Sequence, residues 1–170
     1  MSEKQQPEPW LRGTLQNIPA VQRAVLHALE LAAEDLRHWC AALTESEIHA
    51  HPLHLPSIAF HLRHIARSID RLLTYAEGKS LNDLQLAVLG SESDPVGSPQ
   101  SIFEELRTSF RNSAERIRAF QSLELPRSVG RQNLPSNIAG LLVHVADHTQ
   151  RHTGQAITTA KLLYALRKGE

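Results

Sequence analysis

Ile138-Ala-Gly-Leu-Leu-Val-His144-Val-Ala-Asp-His148-Thr-Gln-Arg-His152-Thr-Gly-Gln-Ala-Ile157 reads as helix, with apolar residues at helical spacing through Ile138, Leu141, Leu142, Val145, Ala156, Ala160 and Leu163. At 100° per residue, with Ile138 set at 0°, most of these lie between about 300° and about 40°. The same arithmetic puts His148 at about 280°, Thr149 at about 20°, His152 at about 320° and Thr153 at about 60°. A polar patch with two imidazoles thus interrupts a core-facing stripe, where an unpaired polar group costs on the order of 1–3 kcal/mol. His148 and His152 are four residues apart, so their Cβ atoms sit roughly 5–6 Å from each other on one face. Two imidazole nitrogens at that spacing reach one metal ion at ~2.0–2.1 Å each. The plain alternative is a pair of core histidines bonded to backbone or to each other.

Working outward, Val21, Val25, Leu29, Ala32, Leu36, Trp39 and Leu43 predict a long first helix, with Asn17 as cap and Pro19 in its first turn. Thr44-Glu-Ser-Glu47 fits a capping box for a short helix that stops before Pro52, with His49, His51 and His54 read as surface residues around that turn. Ser57 caps a second long helix whose face is Ile58, Leu62, Ile65, Ile69, Leu72, Leu73 and Ala76, ending at Gly78. Residues 79–97 form a crossover with an apolar patch from Leu84 to Leu89 that suits a short helix. Ser98-Pro99 opens a third long helix through Ile102, Leu106, Phe110, Ala114, Ile117 and Phe120. A connector at 122–137 leads to the fourth, over about 136–166. No segment shows sustained strand alternation. The fold expected is all-α, a four-helix bundle with a long crossover between helices two and three. Residues 1–16 form an N-terminal arm carrying Trp10, and residues 17–170 the helical domain. A short echo links Leu55-Pro-Ser-Ile-Ala-Phe-His-Leu-Arg-His64 with Leu134-Pro-Ser-Asn-Ile-Ala-Gly-Leu-Leu-Val-His144, one residue being inserted.

Composition narrows the function. The 170 residues carry 18 basic and 18 acidic side chains, a formal net charge of zero. That disfavours nucleic acid and anionic membrane surfaces, both of which need a basic face. The polar start lacks a signal-peptide core and no apolar run nears ~18–20 residues, so neither secretion nor a membrane span is expected. Cys40 is the single cysteine, which fits a reducing cytoplasm, and its spacing from Leu36 and Leu43 makes it a buried small apolar residue. There are ten histidines, none of them between residues 65 and 143. His61, His64, His144, His148 and His152 all fall on two helices.

An i, i+4 pair from one helix plus one histidine from another is a three-ligand set, and three protein ligands with an open position typify catalytic zinc. On helix two, with Ile58 at 0°, His61 falls at about 300° and His64 at about 240°, so periodicity alone favours His61. Arg63, Arg67 and Arg71 read as a solvated outer face, and Asp70 and Asp147 as solvated too. Protease, esterase and phosphate-loop motifs are absent.

His64-Ile-Ala-Arg-Ser-Ile-Asp-Arg-Leu, together with His148-Thr-Gln-Arg-His152-Thr-Gly-Gln, resembles the DinB-like (YfiT-like) superfamily of four-helix-bundle metalloproteins, over nearly the whole chain. The resemblance implies a divalent metal on His64, His148 and His152, with His61 kept as the alternative to His64. His61, His144, Tyr75 and Gln155 are then candidates for the surroundings of the ligands or the pocket wall. Zinc is the first expectation, with nickel, iron and manganese as alternatives. Characterised relatives imply a low-molecular-weight thiol as cofactor, and S-transfer or thiol-assisted isomerisation of a small electrophilic substrate. The competing expectation is a non-catalytic, stress-linked metal-binding module for ligand binding or dimerisation. No nucleic-acid or membrane partner is expected, and a homodimer is compatible with the sequence.

Overall fold

The computed structural model describes residues 6–169. The chain runs α1 (Ala20–Cys40), α2 (Glu45–Ile48), α3 (Ile58–Ala76), α4 (Asp83–Ala87), α5 (Pro99–Ala119), β1 (Pro126–Val129), β2 (Leu134–Asn137) and α6 (Ile138–Lys168). The protein is mostly helical, and four of its helices are long.

The helix starts follow local chemistry. Ser57 Oγ accepts from Phe60 N at 3.1 Å to begin α3, and Ser98 Oγ accepts from Ser101 N at 3.2 Å ahead of Pro99 in α5. Thr44 and Glu47 form the anticipated capping box of α2. At α6 the cap is Asn137, whose Oδ1 accepts from Gly140 N at 2.7 Å. A Cβ on Gly140 would stand 3.1 Å from that oxygen, so the close cap suits glycine. The residue inserted in the Leu-Pro-Ser echo is therefore the cap itself. One start differs from expectation: α1 begins at Ala20 with Pro19 as its N-cap. Asn17 lies in a turn closed by the Ile18 N–H onto Leu15 O at 3.0 Å, and the helix starts three residues beyond it.

Cross-helix hydrogen bonds define how the long helices run. Gln150 to Ala28 O (2.7 Å) and Tyr164 to Trp39 O (3.0 Å) set α6 parallel to α1. Arg67 to Glu105 and Arg116 to Asp70, both 2.7 Å, set α5 parallel to α3. His61 meets His152 while Ser68 meets His148, so α3 and α6 are antiparallel. Parallel neighbours force the chain between α3 and α5 to travel a helix length, which is why residues 77–98 are long. Leu36, Ile58, Leu62, Ile65, Ile69, Leu73, Ile117 and Leu142 are fully buried between the helices. Each such side chain contributes roughly 1.5–3 kcal/mol relative to exposure. Cys40 is buried among them, and burial pushes its thiol up to about 12.

Three features depart from the sequence reading. First, β1 and β2 form an antiparallel hairpin pairing Arg127 with Ser136 and Val129 with Leu134, closed by Gly130 and Asn133 at positive φ. Two four-residue strands, each with a proline, leave no alternation to read. Second, Arg63, Arg67 and Arg71 are not a solvated face. Arg63 is 4% exposed and donates to Asp94 O at 2.6 Å and to Val96 O. Arg67 reaches Ser91 Oγ at 3.1 Å as well as Glu105, and Arg71 pairs with Glu92 at 2.8 Å. The crossover folds back over this face and uses the guanidinium groups to satisfy its own carbonyls and carboxylate, which charge periodicity cannot foresee. Third, Asp70 is only half exposed and pairs with Arg116. Asp147, by contrast, is exposed beside Arg151.

Of the arm, the described residues 6–16 lie against α1. Arg12 grips Glu34 through two hydrogen bonds of 2.6 and 2.7 Å, while Trp10 stays 61% exposed. Among the described residues, no helix is long and apolar enough to cross a membrane.

Candidate metal centre

His64 on α3 and His148 and His152 on α6 converge where the two helices pass. One ring nitrogen from each lies within 4.8 Å of the others, close enough for the three to hold a metal ion. The ring centroids are 4.4 Å apart for His64 and His152, 4.6 Å for His148 and His152, and 5.0 Å for His64 and His148. Phe60, one turn before His64, stacks on its ring at 5.3 Å and 18°. All three histidines are half-buried.

The partners on the far side of each ring assign the protons. Glu92 Oε2 stands 2.6 Å from His64 Nδ1. A carboxylate only accepts, so a neutral His64 carries its proton on Nδ1 and a lone pair on Nε2. The Ser68 hydroxyl donates to the His64 carbonyl, so Ser68 Oγ accepts from His148 Nδ1–H at 3.3 Å. His148 Nε2 is then a lone pair too. These two Nε2 atoms face each other at 3.2 Å. Two facing lone pairs repel, and a cation bound at ~2.0–2.1 Å to each nitrogen replaces that repulsion with attraction. The donor set fits a divalent ion.

Burial, together with the neighbouring histidines, pushes His61, His148 and His152 each down to about 4. These three rings are therefore neutral near pH 7, the form that ligates metals. Burial alone would raise the Glu92 carboxyl. The hydrogen bonds from His64 and Arg71 outweigh it and hold that group below the usual carboxylate range.

The other candidates separate by distance. His61 is 2% exposed and meets His152 Nδ1-to-Nδ1 at 3.1 Å, so it braces one ring of the trio rather than joining it. His144 is exposed at the rim, its ring 5.6 Å from that of His148. The sequence echo pairs His64 with His144, but the structure sets His64 against His148, one turn further on. Gln155 lies with His61, Leu55, Pro56 and Arg151 around a pocket of about 420 Å³. Tyr75 is not brought to the cluster: it lies eleven residues beyond His64, roughly 16 Å along the axis, and packs against the core. Thr149 and Thr153 are buried, and neither hydroxyl has a hydrogen-bond partner among the described residues.

Sequence reasoning missed Ser68 and Glu92. Ser68 follows His64 by four residues, a spacing that could have flagged it. Glu92 sits in irregular crossover 28 residues downstream of its partner, where no periodicity points to it.

Neither the curated proteins nor the solved structures compared with the chain give a significant match. A family profile described as the DinB superfamily matches residues 28–156, a span that holds α3, the crossover, α5 and all three histidines. With three quarters of its length covered by that match, the chain belongs to the DinB superfamily.

Proposed function

We propose that this protein is a metal-dependent enzyme that holds one divalent ion on His64, His148 and His152 in a cleft of a four-helix bundle. It would use a low-molecular-weight thiol for S-transfer to, or isomerisation of, a small electrophile in the cytoplasm. The observation that supports this reading above the rest is the pair of opposed Nε2 atoms on His64 and His148, 3.2 Å apart with His152 beside them. Zinc suits three neutral imidazoles, and nickel, iron and manganese are also compatible. A cation there supplies Lewis acidity, which favours the thiolate form of a thiol near neutral pH.

The chain's own residues do the rest. Glu92 and Ser68 keep the Nδ1 protons of His64 and His148 on the outer side. Phe60 covers one face of His64 and limits water there, and Arg151, beside His152, places positive charge within reach of an anionic group on a substrate. The test is metal analysis of freshly purified protein, followed by a screen of small thiols against electrophiles with and without chelation. Bound divalent metal near one per chain, with chelator-sensitive turnover, is the expected result. Unchanged metal content in His152→Ala would refute the ligand set.

A further inference from the structure

The three arginines of α3 recur one turn apart and hold the crossover along that helix. Arg63 takes the carbonyls of Asp94 and Val96, Arg67 takes Ser91 Oγ, and Arg71 takes Glu92 Oε1 at 2.8 Å. Between these grips, the Glu92 side chain turns inward and is 7% exposed. Its second oxygen, Oε2, goes to His64 Nδ1 at 2.6 Å. Arg71 alone would satisfy the charge of Glu92, so a purely structural carboxylate has no need of the histidine. The 2.6 Å contact is short even for a charge-assisted bond. It is made to the one nitrogen of His64 that points away from His148.

We infer that Glu92 is a positioning residue for the metal site: it fixes the tautomer and ring orientation of His64 and places a buried negative charge behind it. This inference rests on the three-histidine reading above and goes beyond it, because it assigns the irregular crossover a part in the centre. A carboxylate behind a ligating imidazole raises the basicity of the ring, and loss of such a partner typically weakens metal binding 10–100-fold. Glu92 stands 28 residues from His64 in the chain, so the arginine ladder is what brings the two together. The crossover is thereby a second wall of the site.

The test uses the full-length protein. Zinc affinity is measured by competition with a chromogenic chelator for wild type, Glu92→Ala, Glu92→Gln and His64→Ala, and visible spectra are taken of the cobalt-substituted proteins. Glu92→Ala should weaken zinc binding by about 10–100-fold, and Glu92→Gln, which keeps an acceptor but loses the charge, by about tenfold, the low end of that range. Both should shift the cobalt bands, a signature that a mere clasp of the crossover would not move. Circular dichroism of the metal-free proteins reports whether each variant folds, and if the alanine variant does not, the glutamine variant decides. A folded Glu92 variant that binds zinc within about threefold of wild type, or whose cobalt bands stay in place, overturns the inference. Unimpaired zinc binding by His64→Ala would instead overturn the metal reading on which it rests.

Discussion

His61 and His152 meet Nδ1 to Nδ1 at 3.1 Å, across the contact between α3 and α6. One of these nitrogens must donate and the other accept. If His152 ligates through Nε2, its Nδ1 carries the proton, and His61 accepts it and keeps its own proton on Nε2. The reverse arrangement would put a proton on the ligating atom. In that arrangement His61 anchors the Nδ1 proton of His152 and leaves its Nε2 free for a metal. Replacing it with phenylalanine, which keeps most of the buried volume, should lower zinc affinity by about tenfold. A chelator-competition titration measures this, and an unaltered affinity would leave His61 as packing alone.

The buried rings also give the metal-free protein a defined response to acid. His61, His148 and His152 are each held down to about 4, below the ordinary value of 6.5. Between those values the unfolded chain binds more protons than the folded one, so stability is full above about pH 6.5 and falls as the pH drops towards about 4. Urea midpoints of chelator-treated protein at pH 7, 5.5 and 4.5 should decline in that order. A flat series would contradict the burial of the three rings. The sequence alone would place acid release of a bound metal just below about pH 6. If His148 and His152 ligate the ion, their lowered values move that release to more acidic solution.

Arg63 is a buried cation whose hydrogen bonds go to two carbonyls, those of Asp94 and Val96. Truncation to alanine removes both bonds and frees residues 94–97, whose exposed carbonyls then turn to water, at a cost of about 1.5–3 kcal/mol per hydrogen bond lost to the charged group. Limited proteolysis should then cut in this stretch well before the helices. Lysine should not restore resistance, because one ammonium cannot reproduce the fork of a guanidinium.

Leu53 is 75% exposed and sits at φ 50°, with His54 next to it at φ 63°. A leucine side chain gains little packing there and bears the left-handed strain. Leu53→Gly should raise stability by about 1 kcal/mol, read from the urea midpoint. A loss would mean that the leucine makes contacts its exposure does not suggest.

Leu62 gives the opposite case. It is fully buried on α3, between His61 and His64 in register. Leu62→Ala should cost about 2–5 kcal/mol by leaving a cavity, and denaturant titration checks it.

Much of this molecule was legible in its residues because the signals were local. The helix caps at Thr44, Ser57 and Ser98, the stop at Gly78 and the stripes of the four long helices all depend on neighbours within one or two turns. His148 and His152 could be read the same way, as one polar interruption in one apolar face. Between His61 and His64, periodicity favoured the ring that lies outside the converging trio, since His61 does point inward, but towards His152. The resemblance to the family pointed to His64, the ring the structure brings into the cluster. What stayed hidden was whatever depends on a segment without period. The hairpin at 126–137 is too short and too rich in proline to announce itself. The arginines of α3 look solvated until the crossover covers them, and Glu92 has no pattern of its own.

The separation of the histidines along the chain has a consequence for how the protein is made. His64 on α3 and His148 on α6 are 84 residues apart in the chain. No cation can be gripped by all three rings until α6 has been made and has docked against α3. From then on, occupancy stabilises the closed form by mass action, as any ligand specific for the native state does. An ion bound there would act as a late clasp, holding α3 and α6 together only after the two have met.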